Sequence, residues 1–459
     1  PLDDGKVYEA LDQADTMGVF QVESRAQMQM LPRLRPRCFD DLVVEVAIIR
    51  PGPIQGNMVH PYLRRRQGLE PVTYPHPSLE PVLQETLGVV LFQEQVLRVA
   101  MAVAGFSGGQ ADRLRRTMSR QRSREEMNRL REVFVQGAVT RGVDEETARV
   151  IFAQLEGFAT YGFCKSHAAA FALLAYQTMW LKLYHPLEFY CALLNHQPMG
   201  FYAPAVIVGD ARRHGIAVQP PDLNLSQENC TIEQNSIRLG LRYVKGVGPA
   251  ARQRLLALRA SQPYADLRDL CYRTRLPRDV IQNLIRGGAL DSIDSNRRRL
   301  LWQLKSLQYT PDTLPVDSTP EPIPLPPLTE AETIAWHIEL LSLHPGEHLL
   351  HLYREHLSAA GIQPAARLKH HRDGAIIQVA GQVVVRQKPP TAKGHLFLTL
   401  EDETGLVNLI VRPHLYEQKR EILRHAPFLH AVGRLQKEGE ALSILVFSIE
   451  LLELPPLTP

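Results

Sequence analysis

Apolar side chains recur at intervals of three and four along most of this chain, and at intervals of two chiefly beyond residue 375. The first spacing lines one face of a helix, the second one face of a strand. Near the N-terminus the pattern predicts a helix reaching Leu11, capped by Asp3 or Asp4. Asp15–Ser24 then forms a junction with Val19-Phe20-Gln21-Val22 as a short alternating run, and a Met-rich helix covers Ala26–Leu31. An amphipathic helix from Leu91 stops at Gly105, and a second, basic helix follows a Ser-Gly-Gly turn. The longest apolar helix opens at Ala168 with Ser166 as its N-cap. In it Phe171, Leu174, Ala175, Thr178, Leu181 and Lys182 follow the three-four spacing, and most other positions are apolar too, so burial on most sides is expected.

From Asn195 the texture changes. A helix over Pro204–His214 leads to a Pro-rich turn, and Arg238–Arg259 reads as a strand, a G-x-G turn and a helix, with a second helical pair ending at Ala289. A Pro-rich linker spans 308–328, and helices are expected over Glu330–Leu343 and Glu347–Ala360. Between Ala375 and Leu454 five segments alternate as strands, with one helix, Pro413–His425, between the third and fourth. That is the order of an OB-fold barrel. An OB fold alone does not fix a function.

With 459 residues the chain is too long for one core, and three or four domains are expected. Its charged fraction of 22% and net charge of +3 make any nucleic-acid affinity a matter of local patches. The five cysteines are scattered without a C-x-x-C pair, which argues against structural zinc and against a disulfide framework. No apolar run reaches membrane-spanning length and no signal peptide opens the chain, so a cytoplasmic setting is expected. Opening on Pro1, the sequence reads as a fragment of something longer.

Cationic clusters carry the candidate chemistry. Arg50 is pinned between prolines and a glycine in Arg50-Pro51-Gly52-Pro53. Arg64-Arg65-Arg66 is a basic run, read as contacting a DNA backbone in preference to being a solvated face. Arg113, Arg115, Arg116, Arg120, Arg122 and Arg124 crowd the second helix, where the plain alternative is ion pairing with Glu125 and Glu126. Lys165 and His167 flank Ser166 at the start of the long helix, where free N–H groups and the dipole favour an anion. Lys245, Gly246, Gly248 and Arg252 surround the G-x-G turn, whose backbone N–H groups suit DNA phosphate. Arg386, Lys388 and Lys393 lie on the first barrel loop and suit single-stranded backbone.

Tyr161-Gly-Phe-Cys-Lys-Ser-His-Ala-Ala-Ala-Phe171, Asp15-Thr-Met-Gly-Val-Phe-Gln-Val-Glu-Ser24, Gln93-Glu-Gln-Val96 and Ala111-Asp-Arg-Leu-Arg-Arg-Thr-Met118 together resemble the bacterial DNA polymerase III alpha-subunit family. RPGPIQGNMVHPYLRRRQG, NHQPMGFYAP and GHLFLTLEDETGLVNLIV are most similar to its error-prone, damage-associated branch, although Lys165 before Ser-His is nearer the replicative pattern. The resemblance implies a multidomain α+β chain: the end of a palm over 1–20, α-helical fingers over 21–195, a helix-hairpin-helix domain over 196–307, the linker, a helical connector over 329–370 and the OB fold over 371–455. It implies translesion DNA synthesis in repair and replication, with Arg50, Arg115, Arg116, Lys165 and His167 on the triphosphate of an incoming deoxynucleotide. Primer–template DNA and single-stranded template are the implied partners.

The Mg²⁺-binding palm aspartates are expected upstream of Pro1, so this segment is expected to hold neither catalytic nor metal-ligand residues and to be inactive alone. Asp3, Asp4, Asp40, Asp41 and Glu401-Asp402-Glu403 sit in turn-like contexts. A sliding clamp or accessory damage-tolerance proteins are further candidate partners. Gln303–Leu307 is a faint clamp peptide that reads better as helix core. The alternative reading is a non-catalytic DNA-binding protein built from hairpin and OB modules.

Overall fold

The computed structural model describes residues 1–49, 59–119, 124–159, 163–309, 324–389, 392–438 and 441–455. Two compact units emerge, one built from Pro1–Leu183, the other from Tyr184–Lys437 and Leu442–Pro459.

The first unit is helical. Its opening helix, Gly5–Asp12, is capped by Asp4, whose carboxylate accepts from the Lys6 N–H at 3.0 Å. Val19–Val22 is not a strand. Val19 and Val22 are buried and Phe20 is exposed, but a turn sets this alternation, closed by Thr16 Oγ1 donating to the Val22 carbonyl at 2.8 Å. With no neighbouring strand to pair, the run has only local hydrogen bonds available. Helices follow at Arg25–Leu34, Phe39–Ile48 and Val59–Arg66. Arg50 and its flanking prolines lie outside the described residues.

Gln93–Ala104 ends as expected at Gly105 in the left-handed region, φ +69°. The helix Arg124–Thr140 crosses it closely: a Cβ on Gly137 would come within 2.3 Å of the Ala104 carbonyl oxygen. The long helix is Lys165–Tyr184. It buries Ala168, Ala172, Ala175, Tyr176, Met179 and Lys182, a clean three-four stripe. Leu174, Trp180 and Leu181 are more than a third exposed, so burial on most sides does not hold within this unit. A helix that is apolar all round has no sequence signal for which face turns inward. Buried Lys182 is satisfied by the Asp15 carboxylate at 2.8 Å and the carbonyls of Asp15 and Met17.

The second unit begins with helices Pro186–Asn195 and Pro204–Arg213 and a small sheet of β1 (Ala217–Gln219), β2 (Thr231–Glu233) and β3 (Ser236–Arg238), ordered β1-β3-β2. Helices Pro249–Ser261, Leu267–Thr274, Arg278–Arg286 and Arg297–Ser306 form the hairpin region. Leu304 is fully buried there, so Gln303–Leu307 belongs to helix packing, not to a free peptide. Of the Pro-rich linker, 310–323 lies outside the described residues.

Helix Glu330–Leu341 has the capping box Thr329/Glu332. The helix expected over Glu347–Ala360 is a 3₁₀ turn, Leu349–Tyr353, followed by the short helix Arg354–Ala359. The barrel strands are β4 (Ile376–Gln387), β5 (Leu396–Asp402), β6 (Gly405–Val411), β7 (Phe428–Glu438) and β8 (Ala441–Leu451), closed in the order β4-β5-β6-β8-β7. Two short helices, Pro413–Gln418 and Arg420–His425, stand before β7. Inward residues such as Leu398, Leu400, Leu409, Leu429 and Ile444 fill its core. Among the described residues no helix is long and apolar enough to cross a membrane.

Candidate functional site

Gln93, Glu94 and Gln95 open one helix, and each has a different partner. Gln95 turns back: its Oε1 accepts the Leu91 and Phe92 N–H groups, and its Nε2 donates to Thr86 Oγ1 at 2.8 Å. Gln93 faces the arginine-bearing helix Gly108–Ser119, where Arg115 Nη1 reaches its Oε1 at 3.5 Å. Glu94 faces the start of the long helix. Its two oxygens accept the Lys165 N–H at 3.2 and 3.0 Å, and Oε1 accepts from the Cys164 thiol at 3.1 Å. A backbone bond from the Gln93 N–H to the Phe163 carbonyl and a bridge between Phe92 and Phe163 hold these segments together.

The long helix therefore begins at Lys165, one turn earlier than expected. Ser166 lies in its first turn and meets Cys164 Sγ at 3.0 Å, so it is not the N-cap. A carboxylate occupies the position where the positive helix end favours an anion. Burial raises the Glu94 carboxyl, but the Lys165 N–H and the Cys164 thiol donate to it, and the net position is below the ordinary carboxylate value.

Lys165 Nζ is paired with Glu85 at 2.5 Å and lies over the Phe92 ring. Asp112 binds both Arg115, at 2.8 Å, and Arg116, at 2.8 Å. The Arg115 and Arg116 guanidiniums hold Asp112 below its usual value. His167 is exposed and packs edge-on to Phe163 and tilted against Phe171, ring centres 5.0 and 4.2 Å away. Arg115 and the Lys165 N–H thus reach the neighbouring Gln93 and Glu94 in one helix turn, and Arg116 joins through Asp112. His167, two residues on from Lys165, points about 200° round the helix from it. Sequence reasoning missed Glu85, Glu94 and Asp112. Asp112 stands three and four residues before its arginines, a legible helix spacing. Glu94 and Glu85 are 71 and 80 residues from Lys165, a separation that carries no local signal.

The basic run divides. Arg64 is exposed and faces Glu70 at 3.3 Å. Arg65 is turned inward, donating to the Leu87 carbonyl at 2.7 Å and to Thr73 Oγ1. Arg66 donates to Asp41 at 2.5 Å and to the carbonyls of Leu34 and Arg35. Three successive residues on a helix point about 100° apart, so they cannot form one cationic face.

At the hairpin turn Gly246 adopts φ +81°. The Lys245 and Val247 N–H groups bond to Leu340 and Val244, while those of Gly246 and Gly248 have no partner among the described residues. Lys245 Nζ donates to the Glu339 carbonyl, and Arg252 is bound to the Val247 carbonyl and to Glu228. The donors left open are therefore mainly backbone ones. On the barrel, Arg386 donates to the carbonyls of Leu423 and Ala426 at the end of a short helix, and burial lowers its pKa. Lys388 lies over the Tyr416 ring at 3.8 Å, and Lys393 is exposed at a positive φ of 47°.

Most of the carboxylates considered for metal binding are engaged elsewhere. Asp4 is a cap and Asp41 holds Arg66. Glu401 pairs with Arg213 at 2.9 Å, Asp402 accepts from Thr404, and Glu403 pairs with Arg354. Within each unit, no three His, Cys, Asp or Glu side chains among the described residues lie close enough to share an ion. These residues do not fit a two-metal centre.

Comparison with known families places names on these modules. Residues 1–142 match the bacterial DNA polymerase III alpha subunit finger domain, 215–300 a helix-hairpin-helix motif, and 377–452 an OB-fold nucleic acid binding domain. Finger-domain, hairpin and barrel matches thus stand together in one chain. Residues 1–142 are similar to the finger domain of the DNA polymerase III alpha subunit, and along its whole length the chain is similar to proteins named error-prone DNA polymerase.

It is 46% identical over 472 residues to the error-prone DNA polymerase of Anaeromyxobacter sp. (strain K), covering 100% of this chain and 42% of that protein. It is 45% identical to error-prone DNA polymerase 2 of Agrobacterium fabrum, covering 96% of this chain and 42% of the relative. It is also 45% identical to the error-prone DNA polymerase of Methylococcus capsulatus, covering 98% and 45%. The chain spans less than half the length of these relatives.

Proposed function

We propose that this chain supplies the nucleotide-gripping and DNA-holding part of an error-prone, template-directed DNA polymerase. The observation that carries the reading is that Arg115 and the start of Lys165–Tyr184 are held to the neighbouring Gln93 and Glu94, with an anion already seated on that helix N-terminus. A deoxynucleoside triphosphate offers the same sites more negative charge. Its oxygens would replace Glu94 at the helix N–H, Glu85 at Lys165 and Asp112 at Arg115 and Arg116. Arg50 would add a further cation, and His167, held by two phenylalanines, a neutral or charged donor.

Polymerases of this family work with divalent metal ions, which polarise phosphoryl oxygens and activate the attacking hydroxyl. Among the described residues no carboxylates form that centre within either unit, so Mg²⁺ and its ligands are assigned to another part of the polymerase. Gly246 and Gly248, with Lys245 and Arg252 shaping the turn, would hold primer–template DNA. Lys388, Lys393 and Arg64 would contact the phosphate backbone, and the barrel would follow single-stranded template. Synthesis across damage is the activity that the relatives' names suggest. Clamp and accessory-protein contacts have no surface assigned.

The test uses this chain with a fluorescent deoxynucleoside triphosphate, without metal. Binding should be measurable by anisotropy and fall at least tenfold in Arg115→Ala and in Lys165→Ala, with DNA affinity nearly kept. Binding by both variants equal to the parent's sinks the triphosphate site and leaves a non-catalytic DNA-binding protein.

A further inference from the structure

The link between the helices Arg25–Leu34 and Phe39–Ile48 reads Pro32-Arg-Leu-Arg-Pro-Arg37, and the basic run above does not include it. Arg33, Arg35 and Arg37, with Arg66 from the helix Val59–Arg66, line a cavity of about 600 Å³. Its frame is built from backbone. Arg35 ends the first helix in the left-handed conformation, φ 54°, and its N–H returns to the Leu31 carbonyl at 2.8 Å. Pro36 fixes the next φ. From beneath, Arg66 takes the carbonyls of Leu34 and Arg35, and Gln67 Nε2 takes that of Arg33 at 3.1 Å. Asp41 clasps Arg66 and the Arg37 N–H, at 2.5 and 2.9 Å.

These bonds use carbonyls and one carboxylate, and leave the outer cations unmatched. The Arg35 and Arg37 side chains are exposed and meet no ion-pair or hydrogen-bond partner among the described residues. Guanidinium forks converging on a preformed concavity suit the tetrahedral oxygens of phosphate.

We propose that this cavity is a phosphate-binding site, separate from the triphosphate grip and sharing no residue with it. A backbone phosphate of nucleic acid and a free pyrophosphate present the same chemistry. The volume admits either a phosphate with part of its nucleotide or the free ion.

The experiment compares the whole 459-residue chain with Arg35→Ala/Arg37→Ala and Arg35→Lys/Arg37→Lys. Neither side chain holds the fold, so both variants should melt like the parent. Duplex binding is measured against salt by anisotropy, and pyrophosphate binding by calorimetry. For a backbone site the alanine variant flattens the slope of log K against log salt by about 1.8, two contacts at about 0.9 each. For a free-ion site the slope stays and pyrophosphate affinity falls at least tenfold. The lysine variant keeps its charge, so at a backbone site it retains the parent slope; in either case it loses the fork and recovers less than half of the lost affinity. If the alanine variant matches the parent in both assays, or the lysine variant restores the affinity fully, no built site exists. Labelled deoxynucleotide binding in the Arg35→Ala/Arg37→Ala variant stays at the parent value, which separates this outcome from failure of the triphosphate reading.

Discussion

Glu94 is where charge and helix geometry compete most directly. Its carboxylate caps the long helix and also sits where a phosphate would dock. A charge at a helix N-terminus stabilises by about 0.3–1 kcal/mol, so removing it should lower the melting point only slightly. Glu94→Gln keeps one acceptor and loses the repulsion toward a triphosphate. Affinity for the fluorescent triphosphate should therefore rise severalfold, read by the same anisotropy titration. A fall in affinity would instead make Glu94 a positioning group for Lys165, not its competitor. None of this was legible from Lys165-Ser166-His167, because the partner that decides the site's charge lies 71 residues away.

At the scale of the element, the hairpin turn separates glycines that serve the fold from glycines that serve a ligand. A Cβ on Gly246 would meet Asn283 Nδ2 at 2.4 Å, at a φ of +81°. Gly246→Ala should cost about 1–3 kcal/mol, seen as a lowered denaturant midpoint. Gly248 has ordinary backbone, φ −68°, and open space in front of it. Gly248→Ala should cost about 1 kcal/mol or less as a cap change, yet weaken duplex DNA binding, because the methyl group stands beside an open N–H. If DNA affinity is unchanged in the folded Gly248 variant, the turn does not approach phosphate. The G-x-G string marks the turn, but only the fold distinguishes the two positions.

Across the second unit, buried imidazoles set the response to acid. His337 Nε2 faces Arg297 Nη2 at 2.9 Å, so it accepts there. Its Nδ1 must then carry the proton toward His344 Nδ1, also 2.9 Å away. Burial, with Arg297 and His344 beside it, pushes His337 down to about 3. Burial and nearby arginines push His344 and His348 down to about 4. Their folded values lie below the unfolded one of about 6.5, so the stability they contribute is present above that pH and lost as pH falls.

Glu401 opposes them. Burial, relieved only partly by Arg213, raises it to about 7, so its contribution is complete below the ordinary carboxylate range and fades as pH rises toward 7. Between about pH 6.5 and pH 4.5 the unfolded chain gains up to three imidazole protons, while the folded chain keeps one extra on Glu401. The net result is a melting temperature that falls steadily on acidification from about pH 7 to about pH 5. A flat profile, or one rising in acid, would mean that the imidazoles are reached by water in the native state.

The sequence by itself determined the periodic elements, the helical first part, the hairpin turn and the barrel strands, because these depend on neighbours within a few residues. It also carried the family, through motifs such as Tyr161–Phe171 and Ala111–Met118. Tertiary structure decided which face of Lys165–Tyr184 is buried, that Val19–Val22 turns instead of pairing, and that Arg64, Arg65 and Arg66 have three different surroundings. It also decided that Glu94 seats itself on the helix end and that four arginines converge on one cavity. Burial and charge pairing depend on what long-range packing brings within a few ångströms, and spacing along a chain does not encode that distance.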